Sequence, residues 1–202
     1  YGIAHTRWAT HGEVSDINAH PHVNCAGDIA VVHNGIIENF TALKEKLQSE
    51  GHVFRSETDT EVIPHLISSF YEGDLEGAVK KTLPLLTGTY GLVCVHAREP
   101  DRLVGARNGS PMLLGVGDDE MFIASDLTAI VTHTKQVVYL EDGEVVVATP
   151  RGYHTTDMRN RVVDKKVEFV GWELEAIEKE GFSHFMEKEI FEQPQSILRA
   201  MQ

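Results

Sequence analysis

The stretch GIAHTRWATHGEVSDINAHPHVNCAGDIAVVHNG, residues 2–35, carries the pattern around which the rest of the chain is organised. It contains one arginine, one tryptophan and five histidines, and its first residues alternate as in a β-strand. So many polar groups in a strand-like segment are hard to explain by packing alone. A second polar stretch, SETDTE at 56–61, follows the next predicted helix. We expect the two stretches to build one site.

The composition excludes several classes of function. The 31 aspartate and glutamate residues outnumber the 18 lysine and arginine residues and give a net charge of −13. Because no basic stripe offsets this acidic excess, the sequence argues against binding of nucleic acid. No apolar run approaches the roughly 20 residues that span a bilayer. With only Cys25 and Cys94, a disulfide framework is not expected, and a reducing cytoplasm is the predicted location. Cys94 lies in a core-like apolar run, and Cys25 lies in a predicted turn with no obvious base beside it.

Hydrophobic periodicity predicts a few early strands, then a helical layer, then many short strands. Strands are predicted at residues 2–10, 29–33, 89–97, 102–107, 112–116, 121–124, 136–140 and 144–148. Helices are predicted at 39–50, after the capping-box pattern TDTE (58–61), and at 75–86, 173–179 and 184–200. This order predicts a mixed α and β domain with two stacked, largely antiparallel sheets flanked by helices.

Arg7 and Asp59 are candidates for binding the two charged ends of an amino acid. The planar guanidinium of Arg7 suits bidentate capture of a carboxylate, although a surface salt bridge is an alternative. Asp59 is expected in the first turn of a helix, where the helix dipole stabilises a carboxylate that could also receive an ammonium group. Together they would clamp a zwitterion, but sequence spacing alone does not bring them together.

The dipeptide Asn34-Gly35 follows a predicted buried strand. An asparagine amide and a glycine N–H aimed at one point would form an oxyanion hole, which stabilises the developing charge in acyl transfer. Glycine would also let a reacting carbonyl approach the backbone closely. The alternative is a simple hairpin turn.

The histidines raise the question of a metal site. His5, His11, His20, His22 and His33 could supply zinc ligands, but neither HExxH nor paired CxxC spacing is present. Histidines that hydrogen-bond loop backbone are the preferred interpretation, and no metal or other cofactor is predicted.

The motifs HTRWATHG, NAHPH, HNGIIEN and SETDTE, in this order, closely resemble the glutaminase (class II glutamine amidotransferase) domain of the glucosamine-6-phosphate synthases. GTYGLV, ARNGSP, FIASD and FMEKEIFEQPQSI extend the resemblance over essentially the whole chain. It implies an α+β, N-terminal-nucleophile hydrolase fold: an αββα sandwich of two antiparallel sheets. The activity implied is glutamine hydrolysis to glutamate, with the ammonia used to convert fructose 6-phosphate to glucosamine 6-phosphate.

The same resemblance assigns a role to each site residue. Arg7 would bind the α-carboxylate of glutamine with help from Thr10 and His11, and Asp59 would bind its α-ammonium. Asn34 and Gly35 would form the oxyanion hole. Trp8 would lie near the site where ammonia leaves, and His20 would support the loop.

The sequence departs from the family at its start. The family's nucleophile is an amino-terminal cysteine whose own amine is the general base, whereas Tyr1 opens this sequence. The chain is therefore expected to be a fragment without the first strands and the nucleophile, and inactive alone. Residues 1–180 would form a partial glutaminase domain, and residues 181–202 a helix or linker towards a sugar-isomerase domain of a homodimeric parent.

Two alternatives remain at this stage. One is the glutaminase domain of another N-terminal-nucleophile amidotransferase, of the type that feeds ammonia to phosphoribosyl pyrophosphate. The other is a non-catalytic module that binds glutamine without cleaving it. A metallohydrolase that uses the histidines is a more distant third.

Overall fold

The computed structural model describes residues 1–7, 12–171 and 181–201. Within these ranges the strands are β1 (His22–Val23), β2 (Ile29–Ile37), β3 (Gly88–His96), β4 (Leu103–Asn108), β5 (Leu113–Val116), β6 (Met121–Ala124), β7 (Gln136–Tyr139), β8 (Glu144–Thr149), β9 (Gly152–Asp157) and β10 (Glu168–Phe169). The α-helices are α1 (Phe40–Ser49), α2 (Val62–Phe70), α3 (Leu75–Thr82) and α4 (Phe185–Ala200). Short 3₁₀ turns lie at Asp16–Asn18, Leu83–Leu85 and Leu127–Ala129.

The strands pair into two antiparallel sheets that stack face to face. The larger sheet has the order β1-β2-β3-β4-β8-β9, and the smaller has the order β10-β7-β5-β6. Apolar residues of β8 and β4 meet those of β5 and β7 between the sheets, with Val146, Leu114 and Val138 fully buried. Helices α1, α2 and α3 cover the outer face of the larger sheet through a second cluster. The predicted α+β architecture of two stacked antiparallel sheets is therefore confirmed.

Asn34-Gly35 does not form a turn, so the predicted end of the strand at residue 33 was wrong. Strand β2 continues to Ile37, with Asn34 opposite Gly91 and Gly35 opposite Tyr90 on β3. Gly35 has a φ of +127°, and a Cβ added there would lie 2.2 Å from the carbonyl oxygen of Thr89. Glycine is needed here because two strands approach closely, and not because the chain reverses.

The strand predicted at residues 2–10 is also wrong where the structure describes it. Residues 2–7 have no regular secondary structure. Arg7 has a φ of +55°, outside the β region, and its N–H donates to Nδ1 of His5 at 2.8 Å. The N–H of Arg7 is therefore used in a local bond to the His5 side chain and not in the hydrogen-bond ladder of a sheet.

Most other predicted elements are confirmed to within a few residues, and three strands in the described ranges were missed. Strand β9 has the polar sequence GYHTTD, and β1 and β10 have two residues each, so none of the three shows apolar alternation. The predicted helix at 173–179 lies outside the described residues. None of the helices in the described ranges is long and apolar enough to cross a lipid bilayer.

Candidate active site

The turn that connects α1 to α2 is organised by Glu61. Its carboxylate accepts hydrogen bonds from Arg55 N at 2.8 Å and from Ser56 N and Ser56 Oγ at 2.6 Å each. Burial alone would raise the pKa of this carboxyl, but the His65 imidazole and the hydrogen bonds from Ser56 and Arg55 outweigh it and hold the pKa at about 2. Glu61 is therefore ionised at neutral pH and holds the Ser56–Glu61 turn in place.

Asp59 lies inside this turn and does not cap the helix as predicted. Helix α2 begins at Val62, and its N-terminal flanking residue Glu61 makes no side-chain capping bond. The Asp59 carboxylate instead accepts from the backbone N–H of Ile37, at 2.7 Å, and the residue is only 3% exposed. The reciprocal bonds of a capping box are replaced by bonds to the end of β2, and these place a buried carboxylate beside that strand.

Arg7 holds the loop that approaches the same turn. Its guanidinium donates to Glu13 O at 2.9 Å and to Gly12 O at 3.2 Å. Asn18 joins this loop to the turn, because its Nδ2 donates to Glu13 O and its Oδ1 accepts from Glu57 N. The loop carbonyls that Arg7 binds are thus tied to the segment that carries Asp59.

Arg7 and Asp59 have opposite effects on the pKa of His22. Burial is the largest influence on the pKa of His22 and lowers it; Arg7 lowers it further, while Glu61 and Asp59 raise it. Both charges therefore influence the protonation of the same ring.

A cluster of neutral histidines fills the space between the turn and β2. Thr60 Oγ1 lies 3.1 Å from His20 Nε2 and 2.9 Å from His33 Nδ1, and Thr58 Oγ1 lies 3.0 Å from His22 Nε2. Burial, followed by the neighbouring histidines and Arg7, lowers the pKa of His20 to about 3. These three histidines contact threonine hydroxyls and position the turn, and His33 Nε2 also lies 3.3 Å from the backbone oxygen of Thr89. The predicted bond to loop backbone is found at His5, which accepts from Arg7 N.

Asn34 lies on the wall of a cavity of about 560 Å³ that residues of both sheets line. His5 Nε2 lies 2.7 Å from Asn34 Oδ1, so this amide oxygen can accept from His5 and the amide hydrogens on Nδ2 remain the group that can donate to a ligand. Thr6, Met112 and Ser125 are among the other lining residues. Sequence reasoning had considered His5 only as a possible zinc ligand; its position two residues before Arg7 was the available signal for this role.

The predicted site residues fall into two groups. Arg7, His20, Asn34, Gly35 and Asp59 lie in one connected region, joined by the contacts given above. Trp8, Thr10 and His11 lie outside the described residues. Thr60 and Glu61 belong to the same region and had been considered only as parts of a helix cap.

Known proteins with similar sequences and structures point to one family. The sequence model of the glutamine amidotransferase domain matches residues 5–132. The glutamine–fructose-6-phosphate aminotransferases (isomerizing) of Chlorobaculum tepidum and Methanothermobacter thermautotrophicus are 56% and 54% identical, over 96% and 97% of this chain. The chain covers 32% and 33% of those two proteins, so it spans about a third of the curated relatives it matches.

The fold has a solved relative as well. Glutamine phosphoribosylpyrophosphate amidotransferase from B. subtilis superimposes with a TM-score of 0.63 at 28% identity, covering 78% of this chain and 35% of that chain. The resemblance carried by HTRWATHG, NAHPH, HNGIIEN and SETDTE is confirmed, and the family match spans the described candidate residues from His5 to Glu61. The chain therefore belongs to the glutamine amidotransferase domain family.

Proposed function

We propose that this chain binds L-glutamine and supplies the glutamine half of an amidotransferase that converts fructose 6-phosphate to glucosamine 6-phosphate, with glutamate as the other product. The observation that carries the proposal is the hydrogen-bond chain from Arg7 to the turn of Asp59: Arg7 binds Gly12 O and Glu13 O, and Asn18 binds both Glu13 and Glu57. A guanidinium and a carboxylate in one connected region offer a partner for each of the two charges of a free amino acid. Relatives that are 54–56% identical bear the name of that aminotransferase, which supports the choice of acceptor.

The roles of the binding residues follow from their charges and burial. Arg7 binds the α-carboxylate, with Thr10 and His11 beside it, and Asp59 binds the α-ammonium. A carboxylate that is 3% exposed attracts a cation strongly because little water screens it. The low pKa of His20 keeps a competing positive charge away from the ammonium. The resemblance to the family assigns Trp8 a role near the exit of ammonia.

Asn34 and Gly35 form the oxyanion hole of the proposed reaction. The bond between His5 and Asn34 Oδ1 fixes the amide so that Nδ2 can donate. Backbone N–H groups alternate sides along a strand, and Ile36 N and Glu38 N donate to Thr89 Oγ1 and Thr87 O. We therefore expect the Gly35 N–H to face away from β3 and to be available to an oxyanion.

The proposal extends to the domain organisation of the enzyme. We propose that residues 1–180 form the glutaminase domain and that residues 181–202 lead towards a sugar-isomerase domain in a homodimeric cytoplasmic enzyme. Helix α4 supports a contact with another surface, because it exposes several large apolar side chains: Phe185, Met186, Ile190, Phe191, Ile197 and Leu198. No cofactor is part of the proposal.

An amidotransferase of the phosphoribosyl pyrophosphate type is the second candidate. The structural match to the B. subtilis enzyme favours it. Its identity of 28% is well below the 56% shared with the fructose-6-phosphate aminotransferase of C. tepidum, so it ranks second.

Replacement of Asp59 by asparagine is expected to weaken glutamine binding at least about tenfold, because a charge-assisted bond to the ammonium contributes roughly 1.5–3 kcal/mol. Asparagine can still accept from Ile37 N, so the turn should keep its shape. Calorimetry with L-glutamine and with glutaramate, which lacks the α-amino group, provides the measurement. The wild-type chain should prefer glutamine, and the Asp59→Asn variant should lose that preference.

The exposed Asp118 on the β5–β6 turn provides the charge-matched control. Asp118→Asn should bind both ligands as the wild type does. An Asp59→Asn variant that still prefers glutamine by the wild-type factor would contradict the assigned role.

The polypeptide of residues 1–202 should release ammonia from glutamine no faster than a blank without protein, even at glutamine concentrations at which it binds the substrate. Neither cysteine is among the described residues that line the cavity beside Asn34, and Cys94 is buried in the core. A coupled glutamate dehydrogenase assay measures the product. Release that disappears in a Cys25→Ser variant would instead identify Cys25 as the nucleophile.

A further inference from the structure

Three potential metal ligands meet at a point that the glutamine site does not use. The ligand atoms of Cys25, His52 and His65 all lie within 4.8 Å of one another. Nδ1 of His65 is 3.0 Å from Nδ1 of His52 and 3.7 Å from Sγ of Cys25. The expectation that no base lies beside Cys25 was therefore wrong.

Each ligand comes from a different element. Cys25 is in the turn between β1 and β2, His52 follows the end of α1, and His65 lies within α2. The turn of Cys25 is anchored by Asn24, whose Oδ1 accepts from Asp28 N and Ile29 N and whose Nδ2 donates to Ser68 Oγ of α2. The three side chains are thus held together by packing that requires no bound ion.

The observed separations match those of tetrahedral zinc. With bonds of about 2.3 Å to sulfur and about 2.0–2.1 Å to nitrogen, a sulfur and a nitrogen ligand lie about 3.5 Å apart and two nitrogen ligands about 3.3 Å apart. The distances from His65 to Cys25 and His52 are within a few tenths of an ångström of these values. Small rotations of the side chains would suffice to complete the geometry.

The surroundings of Cys25 and His52 hold their ligand atoms in place. Val53 N donates to Cys25 Sγ at 3.2 Å, and Sγ lies 3.8 Å from Val53 O. The far nitrogen of His52 lies 3.4 Å from Ser69 Oγ. Ser69 therefore contacts the side of the His52 ring away from the cluster, and Nδ1 of His52 faces His65.

His65 provides an independent observation. The residue is 1% exposed, and its Nε2 has no hydrogen-bond partner among the described residues. That nitrogen faces the ionised carboxylate of Glu61, with Oε1 at 3.8 Å. A metal on Nδ1 would fix the proton on Nε2, and a carboxylate behind a ligating histidine is the usual second partner in metal sites.

We propose that Cys25, His52 and His65 form a binding site for a zinc-like divalent transition metal, with one thiolate and two imidazole ligands. The fourth coordination position faces the exposed side of Cys25 and takes water. Soft thiolate with imidazole selects zinc and its neighbours over magnesium or calcium. The bound ion joins the β1–β2 turn, the end of α1 and α2, and therefore stabilises the fold.

The test uses the untagged protein after removal of metal with a chelator. Zinc chloride is titrated in competition with a chromophoric chelator, and cobalt chloride is titrated while the thiolate-to-cobalt charge-transfer absorption is recorded. We expect one metal per chain, a higher thermal midpoint with zinc, and a thiolate band with cobalt. In Cys25→Ser the band should disappear, and in His52→Gln zinc affinity should fall at least tenfold.

His133→Gln, an exposed histidine away from the three ligands, is the matched control and should bind zinc like the wild type. Circular dichroism should confirm that each variant is folded; His65 is left intact because it is buried. A wild-type protein without a cobalt–thiolate band, or a Cys25→Ser variant with zinc affinity within twofold of the wild type, would overturn the proposal.

Discussion

A Gly35→Ala variant is expected to lose about 3 kcal/mol or more of its free energy of unfolding, and glutamine binding with it. A Cβ at this position would lie 2.2 Å from Thr89 O and 2.7 Å from Thr89 C. Both are backbone atoms of β3 inside the larger sheet, so they cannot move without breaking the ladder. The φ of +127° adds strain for any residue with a side chain.

Urea denaturation with glutamine calorimetry measures both effects. Gly27→Ala is the matched control, because Gly27 also has a positive φ, of +71°, but a Cβ there would meet nothing within 4 Å. It should cost only about 1 kcal/mol through backbone strain. If the two variants lost equal stability, the close approach of β2 and β3 would not be what requires glycine at position 35.

In strands β2 and β3, pairing within the sheet overrides a local sequence signal for a turn. Asn-Gly is a strong hairpin signal, but β2 is paired with β3 from Ile29 to Ile37 without interruption. A second glycine, Gly88, faces the same crossing: a Cβ there would lie 2.2 Å from Ile36 O. Gly35 and Gly88 are both explained by the close contact between β2 and β3, which cannot be seen in the sequence of either strand alone.

Strands made mainly of apolar residues could be predicted because burial alone decides them. In β8, five consecutive residues from Glu144 to Ala148 are buried, and Val146 packs between the sheets while Val145 packs against the helical side. Strand β9 could not be predicted in this way, since its buried residues are Thr155 and Thr156. Their burial follows from pairing with β8, not from hydrophobicity.

The candidate site was predictable as a set of residues but not as a geometry. The chemistry of Arg7 and Asp59 is visible in their side chains, whereas the bonds from Asn18 to Glu13 and Glu57, which join the loop of Arg7 to the turn of Asp59, have no sequence signal. The cluster of Cys25, His52 and His65 had no sequence signal at all. Its members are spread over three elements, and the spacing matches no metal-binding motif.

Glu61→Gln should be the most destabilising of the conservative changes at the site, by about 2–3 kcal/mol at pH 7. The carboxylate accepts from Arg55 N at one oxygen and from Ser56 N and Ser56 Oγ at the other. An amide presents NH₂ at one of these positions, so at least one backbone N–H, of Arg55 or of Ser56, would face another donor. The Ser56–Glu61 turn should loosen, and glutamine affinity should fall because Asp59 is part of that turn.

The pH dependence of this loss separates charge from shape. The pKa of Glu61 falls from 4.5 to about 2 in the folded chain, so its contribution is complete above pH 4.5 and is lost as the pH falls towards 2. The difference in unfolding free energy between wild type and Glu61→Gln should therefore shrink with acidity over that window. Urea denaturation at several pH values between 2.5 and 7, a range set by the two pKa values, measures it.

The exposed Glu45 on α1 supplies the control, since Glu45→Gln makes the same chemical change where the side chain is in solvent. Its stability should follow the wild type within about 0.5 kcal/mol at every pH. A Glu61→Gln deficit that stayed constant from pH 7 down to the acid limit would mean that the turn depends on the shape of this side chain and not on its ionised form. A deficit that vanishes in acid would establish that the negative charge of Glu61 holds the turn that carries Asp59.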